Sequence, residues 1–395
     1  MKEEYRFLGE YIRQVDIRNK EGKKENLLGV SVQKQFIQSI ANTVGTDFTK
    51  YKVVKKGQFT YIPDTSRRGD KIAIALLEDY EEGLVSNVYT VFEVIDTEKL
   101  LPEYLMLWFS RPEFDRYARF KSHGSVREVM DWEEMCKVEL PVPDIEKQRK
   151  IVKAYKTITD RIALKQKIND NLVACIDTIF NEQFGNFKAL AESSTANTDF
   201  SSLPDGWTIE NAVHSFDISI GKTPPRSEPE WFTSNQTDNV WISIADMKTN
   251  SPFIFKSAEY LTNEAVKKHN VKIVQANSVL LSFKMTVGRV AIVTNEVTTN
   301  EAIAHFPCTK ENLFFVYCYL KNFNYGYLGS TSSITTAINS KIIKEMPFLM
   351  PSKKELDLFN HKVSGLFEQL KYISKELDIL EELSKMLLPQ LLGHC

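Results

Sequence analysis

Cationic and small polar residues cluster in one short segment of the chain. The segment 65–71 is marked by a glycine and lies between two apolar runs; its candidate contacts are Ser66, Arg67, Arg68 and Lys71. Arginine can form two hydrogen bonds with guanine in the major groove, whereas lysine and serine suit phosphate oxygens. From the residues alone an ordinary surface hairpin is the favoured interpretation, and contact with nucleic acid is the alternative.

Three further segments carry side chains of the same kind. The segment 116–127 contains Arg116 and Arg119 together with the candidate contacts Lys121, His123, Ser125 and Arg127. A hydroxyl-rich stretch at 329–333 takes the matching place later in the chain and adds Ser330, Thr331 and Ser332. The segment 283–289 adds Lys284 and Arg289, which correspond in position to 67–71. Hydroxyls and backbone amides can donate to phosphate oxygens, but a solvated turn remains the competing interpretation.

No catalytic constellation accompanies these clusters. The sequence Gly221-Lys222-Thr223 resembles the end of a phosphate-binding loop, but the Walker A motif needs glycine at position 216, which is Phe216. The Asp/Asn-Pro-Pro-Tyr/Phe motif of amino-methyltransferases does not occur, and no Pro-Asp pair is followed by the carboxylate and lysine of a metal-dependent nuclease. The six histidines are isolated in sequence. We therefore expect neither catalysis nor a metal site in this chain.

Composition restricts where positive charge can act. The chain has 50 Lys and Arg against 52 Asp and Glu, a formal net charge of −2, so any cationic surface must be local. The five cysteines are scattered, which favours a reducing compartment over a disulfide framework or a zinc site. We see neither a signal peptide nor an apolar run of membrane-spanning length, and we expect a cytoplasmic protein.

The chain repeats itself once over a long period. Five landmarks recur in the same order at offsets that fall from 220 to 205 residues, which predicts two copies of one domain with loops of unequal length. The pairs are 57–59 with 277–279, Gly69 with Gly288, Asn87 with Asn300, Gly124 with Gly329, and Leu140-Pro141 with Met346-Pro347.

A long helix is predicted after each copy, at 144–185 and 352–395, with a linker at 186–205 between the first helix and the second copy. Apolar residues spaced three and four apart indicate a coiled-coil seam in both helices. In the first helix the seam is Ile151, Tyr155, Ile158 and Ile162, with a slip in the rhythm near Lys165. In the second it is Leu356, Phe359, Val363, Leu366, Leu370, Ile373, Leu377 and Leu380, with Ser384 as the one interruption. An apolar stripe on a lone helix is unstable, so we expect the two helices to pair.

The two copies, 1–143 and 206–351, mix β-branched runs with short helical patterns. This mixture predicts an α+β fold for each copy. The order of the strands is left open.

The chain resembles the DNA specificity subunits of type I restriction–modification enzymes. The resemblance lies in the alternation of globular copy and long helix, in the exit segment 140–143 with the helix start 144–148, and in Trp207 followed by 221–224. The second exit is two residues longer than the first, and Gln148 has no clear counterpart in the second copy.

The resemblance implies two target-recognition domains and two long helices that pair as an antiparallel coiled coil. It makes Lys222 and Thr223 candidate DNA contacts. It also implies a non-catalytic subunit that recognises a bipartite, asymmetric, gapped DNA site together with two methyltransferase subunits and with restriction subunits. S-adenosylmethionine, ATP and Mg²⁺ would belong to those partners. A coiled-coil adaptor that binds only protein is the alternative; it explains the helices but not the duplicated basic loops.

Overall fold

A computed structural model describes residues 5–39, 45–65, 69, 71–123, 128–193, 200–249, 251–328 and 338–392. The chain divides into two compact units. The first unit contains Met1–Arg161 and Glu381–Cys395, and the second contains Ile162–Leu380. Each unit therefore combines one predicted domain with parts of both long helices.

The described part of the first unit is built on antiparallel strands and three short helices. The strands are β1 (Tyr5–Phe7), β2 (Ile12–Val15), β3 (Ile17–Arg18), β4 (Leu28–Val30), β5 (Phe36–Gln38), β6 (Lys52–Lys55), β7 (Phe59–Ile62), β8 (Ala73–Leu76), β9 (Glu82–Val85), β10 (Thr90–Val94) and β11 (Glu139–Pro141). The helices are α1 (Pro102–Phe109), α2 (Pro112–Lys121) and α3 (Trp132–Cys136). The central sheet has the order β2-β10-β7-β8, and β1 pairs with β11. The rings of Phe59 and Phe92 stack at 4.8 Å between centroids, and Phe109 of α1 packs edge-on against both.

The second unit repeats this frame with one further strand in its central sheet. Its strands are β12 (Thr208–Asn211), β13 (Ser219–Ile220), β14 (Phe232–Thr233), β15 (Asn239–Ile242), β16 (Phe253–Ile254), β17 (Glu259–Leu261), β18 (Ser278–Ser282), β19 (Val290–Val293), β20 (Thr298–Thr299), β21 (Ile303–Pro307) and β22 (Pro347–Met350). Between the two long helices α4 (Ile145–Glu192) and α9 (Lys353–Leu392), the short helices are α5 (Ala212–Ser215), α6 (Asn263–Lys268), α7 (Leu313–Asn322) and α8 (Ser340–Glu345). The central sheet has the order β13-β21-β18-β19-β16, and β12 pairs with β22.

The duplication predicted from sequence is confirmed in the strand order. Strands β2, β10, β7 and β8 correspond in order to β13, β21, β18 and β19, and in both units the entry strand pairs with the exit strand. The same hydrogen bond also occurs twice: the hydroxyl of Tyr104 donates to the carbonyl of Pro141 at 3.0 Å, and that of Tyr319 donates to the carbonyl of Pro347 at 2.9 Å. The predicted α+β fold is therefore correct for both copies.

Two long helices follow the exit strands, α4 (Ile145–Glu192) and α9 (Lys353–Leu392). The first was predicted to end at residue 185, but it continues to Glu192 because Phe184, Phe187 and Ala191 keep packing against the second unit's core. At 48 residues it is about 72 Å long. Helix α9 also tolerates Pro389, which lies within its last turn.

The two helices pair in antiparallel fashion within the second unit. Gln183 donates to the carboxylate of Glu355 at 3.0 Å, and Lys165 lies 2.8 Å from the carboxylate of Glu376, so residue numbers rise along one helix as they fall along the other. In the first unit, the hydroxyl of Ser384 donates to that of Tyr155 at 3.3 Å. Ser384, which interrupts the apolar pattern, thus takes part in the seam through its hydroxyl.

The predicted slip near Lys165 is wrong. After Ile158 and Ile162 the inward positions continue through Lys165 and Asn169 to Ile176 with unbroken three- and four-residue steps. Asn169 is buried, at 3% exposure. A polar residue at one seam position is the device that fixes the register of paired helices at some cost in stability.

Most of the predicted seam of α9 is interior. Leu356, Phe359, Val363, Leu370, Ile373 and Leu380 are buried, while Leu366 and Leu377 are half-buried. The fully buried residue next to Leu366 is Phe367, whose ring stacks on Phe314 of α7 at 4.2 Å between centroids. In this turn α9 faces its own domain as well as α4, which shifts the buried position by one residue.

Candidate nucleic-acid interface

The structure brings together described residues at the edges of the two basic clusters of the first unit. The amide of Thr65 donates to the carbonyl of Glu128 at 3.0 Å, and the buried Thr65 hydroxyl donates to that of Ser122 at 2.9 Å. His123 exchanges two backbone hydrogen bonds with Val129. The segment after β7 and the segment after α2 therefore lie side by side at one end of the central sheet, although they are about 60 residues apart in sequence.

Lys71 is exposed at the start of this sheet's edge strand, and a buried ion pair holds the neighbouring backbone. The ammonium of Lys34 lies 2.6 Å from the carboxylate of Asp115 and donates to the carbonyl of Ile72 at 2.8 Å. The amide of Ile72 donates to the same carboxylate at 3.2 Å. Both polar groups of Ile72 are thus fixed, which limits the motion of Lys71 beside it.

The other cations of the first unit differ in availability. Arg116 pairs with Glu113, Arg119 with Glu128, and Lys121 lies 3.9 Å from Glu134. These pairs are partly exposed, so their charges are only partly neutralised and can exchange partners with phosphate. His123 is exposed. The candidates Ser66, Arg67, Arg68, Ser125, Arg127, Ser330, Thr331 and Ser332 lie outside the described residues.

In the second unit, the segment that begins at Gly221 lies at the corresponding end of the sheet. The amide of Gly221 donates to the carbonyl of Ile303 at 3.1 Å, and that of Lys222 donates to the carbonyl of Thr299 at 2.9 Å. The side chain of Lys222 remains exposed. The hydroxyl of Thr223 donates to the carboxylate of Glu301. The backbone of this segment is therefore anchored while its lysine points to solvent.

A buried histidine, His305, contacts the two strands next to this segment, β13 and β20. The ring of His305 is 1% exposed; Nδ1 lies 2.9 Å from the Ser219 hydroxyl, and Nε2 lies 2.7 Å from the Thr299 hydroxyl. Burial, with a smaller contribution from Lys272, lowers the pKa of His305 to about 4. His305 is therefore neutral at physiological pH, and each of its nitrogens has a hydroxyl partner.

The turn between β18 and β19 forms the second part of this surface. The amide of Phe283 donates to the carbonyl of Ala302 at 2.9 Å, which places the exposed Lys284 next to Glu301. Burial opposes ionisation of Glu301, but the Thr223 hydroxyl and the charges of Lys284 and Arg226 hold its pKa below its ordinary value. Thr223 and Lys284 thus lie beside one carboxylate.

Arg289 has a different environment from the other candidates. Its guanidinium donates to the backbone carbonyl of Ile244 at 2.6 Å, and the residue is only half-exposed. This contact ties the end of the turn to the neighbouring loop. The sequence pattern placed Arg289 with Lys284, but of the two only Lys284 is exposed.

Sequence reasoning overlooked His305, Glu301 and Met285. Nothing in the pattern marks His305, because its two partners lie 86 and 6 residues away. Met285 had a detectable signal: an apolar residue between Lys284 and Thr286 in a turn that ends with Gly288. Its side chain is 98% exposed.

Within the described ranges, no group of three or more His, Cys, Asp or Glu side chains is arranged to hold a metal ion. Among the helices described, none is long and apolar enough to cross a membrane.

Comparison with known proteins gives one consistent family. The model of the type I restriction modification DNA specificity domain matches the chain twice, at residues 4–174 and 215–385. The specificity subunit of the type I restriction enzyme HindI from Haemophilus influenzae is 24% identical and is matched over 87% of each chain. The MjaIX specificity subunit from Methanocaldococcus jannaschii is 23% identical over 75% of this chain and 70% of that protein.

A solved structure supports the fold. The crystal structure of a type I restriction–modification S subunit from M. genitalium covers 100% of this chain and 97% of that chain, with a TM-score of 0.57 at 13% identity.

Proposed function

Because the chain belongs to the type I restriction modification DNA specificity domain family, we propose that it selects the DNA site for a type I restriction–modification enzyme. Each recognition domain reads one half of a bipartite, gapped site. Two modification subunits then methylate adenine, and restriction subunits cleave unmodified DNA. S-adenosylmethionine, ATP and Mg²⁺ are bound by those partners, and this chain performs no catalysis itself.

The observation that carries this proposal is one sheet frame used twice with different residues at its end. In the first unit, that end carries Lys71 and His123; in the second, it carries Lys222, Thr223 and Lys284. Cations and hydroxyls of this kind bind phosphates, while side chains between them can reach base edges. Because the two ends differ, the two half-sites should differ, and the site should be asymmetric.

The direct test is a map of N6-methyladenine across the host genome with the gene intact and with the gene deleted. We expect one bipartite, gapped motif to lose its methylation on deletion, and complementation should restore it. An unchanged map, together with no salt-sensitive DNA binding by the assembled complex, would contradict the proposal and favour an adaptor that binds only protein.

The partner surface is proposed to lie on the outward face of α9 in the second unit. Leu358, Tyr372 and Ile379 are 46%, 69% and 65% exposed, and their spacing of 14 and 7 residues places them on one stripe. A modification subunit with an apolar helix could cover this stripe. The predicted seam residues Leu366 and Ile373 are unsuitable for testing it, since they pack inward.

We expect Tyr372→Asp with Ile379→Asp to prevent co-purification of the chain with its modification subunits, because two carboxylates would be buried without partners. The control is Ser364→Asp with Gln369→Asp, which adds the same charges at exposed polar positions flanking the stripe. Circular dichroism checks that both variants remain folded. A complex that survives the stripe variant would exclude this face as the docking surface.

A further inference from the structure

Met285 lies at the tip of the β18–β19 turn with almost its whole side chain in solvent. It is 98% exposed, whereas Phe283 two residues earlier is 1% exposed. Its backbone φ angle is +59°, in the left-handed region that residues other than glycine and asparagine rarely adopt. The chain thus holds an apolar side chain outward at a position that costs backbone energy.

The turn that presents Met285 is internally fixed. The buried Ser282 hydroxyl donates to the carbonyl of Thr286 at 2.6 Å and accepts from the amide of Arg289 at 3.0 Å. The amide of Gly288 donates to the carbonyl of Ser282 at 2.9 Å. Because these hydrogen bonds fix the backbone of the turn, the backbone loses little conformational entropy when Met285 makes a contact.

The chemistry on both sides of Met285 suits a DNA groove. Lys284 and Thr286 are exposed and can bind phosphates, while Met285 between them has nothing to offer a phosphate. The major groove admits a two-stranded β ribbon, and thymine presents there the one apolar group of the four bases, its 5-methyl.

We propose that Met285 reads a thymine in the half-site recognised by the second unit, through contact of its side chain with the thymine 5-methyl group. The inference rests on the proposed function. In the sequence of the first unit, the segment between β7 and β8 contains Arg67 and Arg68, a residue type that favours guanine. The two half-sites should therefore differ in the bases that they present.

The test uses the chain assembled with its modification subunits and a duplex carrying the motif found by methylation mapping. Each thymine of the two half-sites is replaced in turn by deoxyuridine, which lacks only the 5-methyl group, and the Kd is measured by fluorescence anisotropy. For the unaltered protein we expect one thymine in one half-site at which deoxyuridine weakens binding about fourfold, the value of one buried methyl group.

Met285→Asn should weaken binding to the thymine duplex and abolish that difference, because asparagine tolerates the positive φ but offers no apolar contact. Met285→Leu, which keeps an apolar side chain, should retain most of the difference in Kd between the thymine and deoxyuridine duplexes. Lys284→Ala is the matched control: it should weaken binding to every sequence alike and lower the salt dependence by about one phosphate contact.

Equal deoxyuridine effects in the unaltered protein and Met285→Asn would overturn the proposal. So would a Met285→Asn loss that follows flexible base steps rather than methyl groups, since this would indicate a wedge between stacked bases. Failure of the unaltered complex to prefer any motif would instead refute the proposed function, and the role of Met285 with it.

Discussion

Replacing Gly221 by alanine is expected to abolish methylation directed by this chain. A Cβ atom at this position would lie 2.1 Å from the carbonyl oxygen of Asn300 and 2.1 Å from the hydroxyl of Thr299. The carbonyl of Thr299 would be only 2.5 Å away. Two of the three obstacles are backbone atoms, which cannot rotate away as a flexible side chain would. Strand β20, which contains Thr299, and the segment 221–223 must therefore separate. We expect this to lower the free energy of unfolding by about 3 kcal/mol or more.

This cost falls on the proposed DNA surface because the same contacts hold Lys222. The amide of Lys222 donates to the carbonyl of Thr299 in β20, so separation of the segment from β20 would release Lys222. The free energy of unfolding, from urea titration, and methylation of the motif in cells are the two measurements. We expect the free energy of unfolding to fall and methylation of the motif to disappear.

Gly185→Ala is the matched control within the same unit. Its Cβ would meet Asn181 at an ordinary 3.8 Å inside α4. Alanine there should raise the free energy of unfolding by about 0.5–1 kcal/mol, since glycine is the weaker helix former. If Gly221→Ala also kept normal stability and normal methylation, close packing at this point would not be required for recognition.

The duplicated frame was readable from sequence because its turns impose backbone requirements. Gly57 and Asn277, paired by their offset, both have positive φ angles, 82° and 62°, and so do Gly69 and Gly288. Residue types that tolerate this conformation are few, so they leave a trace in the sequence. Strand order leaves none, since it depends on pairings between distant segments.

The seam of α4 was misread for a different reason. Lys165 and Asn169 are polar, and the apolar pattern alone predicts that such positions turn outward. Lys165 instead pairs with Glu376 on the opposing helix, and Asn169 is buried. The rule fails where a partner across the interface satisfies a polar group, and one segment of sequence cannot show its partner.

The candidate interface was predicted only in part, because sequence shows which cations exist but not which are engaged. Lys284 and Arg289 look equivalent five residues apart, yet one is exposed and the other donates to Ile244. The sequence signal of Met285, an apolar residue between Lys284 and Thr286, is weak because single apolar residues are common on surfaces. The turn that holds Met285 outward becomes visible only when the Ser282 hydrogen bonds are known.

Acid is expected to destabilise the second unit through His305. Its pKa is about 4 in the folded chain against an ordinary value of 6.5, chiefly because the ring is buried. Between these values the unfolded chain binds a proton that the folded chain does not, so lowering the pH favours unfolding. The contribution of neutral His305 to stability is complete above about pH 6.5, declines as the pH falls and is lost below about pH 4. The difference between the two pKa values corresponds to about 3 kcal/mol of unfolding free energy.

Carboxylates also titrate in this range, so the informative quantity is the difference between the unaltered chain and His305→Gln. Glutamine keeps a polar side chain between Ser219 and Thr299 but carries no titrating proton. Urea titrations at pH 4.5 and pH 7 should show a smaller loss of unfolding free energy for the variant. His361→Gln, at an exposed position of α9, controls for removal of a histidine as such. The loss of unfolding free energy between pH 7 and pH 4.5 could instead be reduced by His361→Gln, or by neither variant. Protonation of His305 would then not be the cause of the acid sensitivity of the second unit.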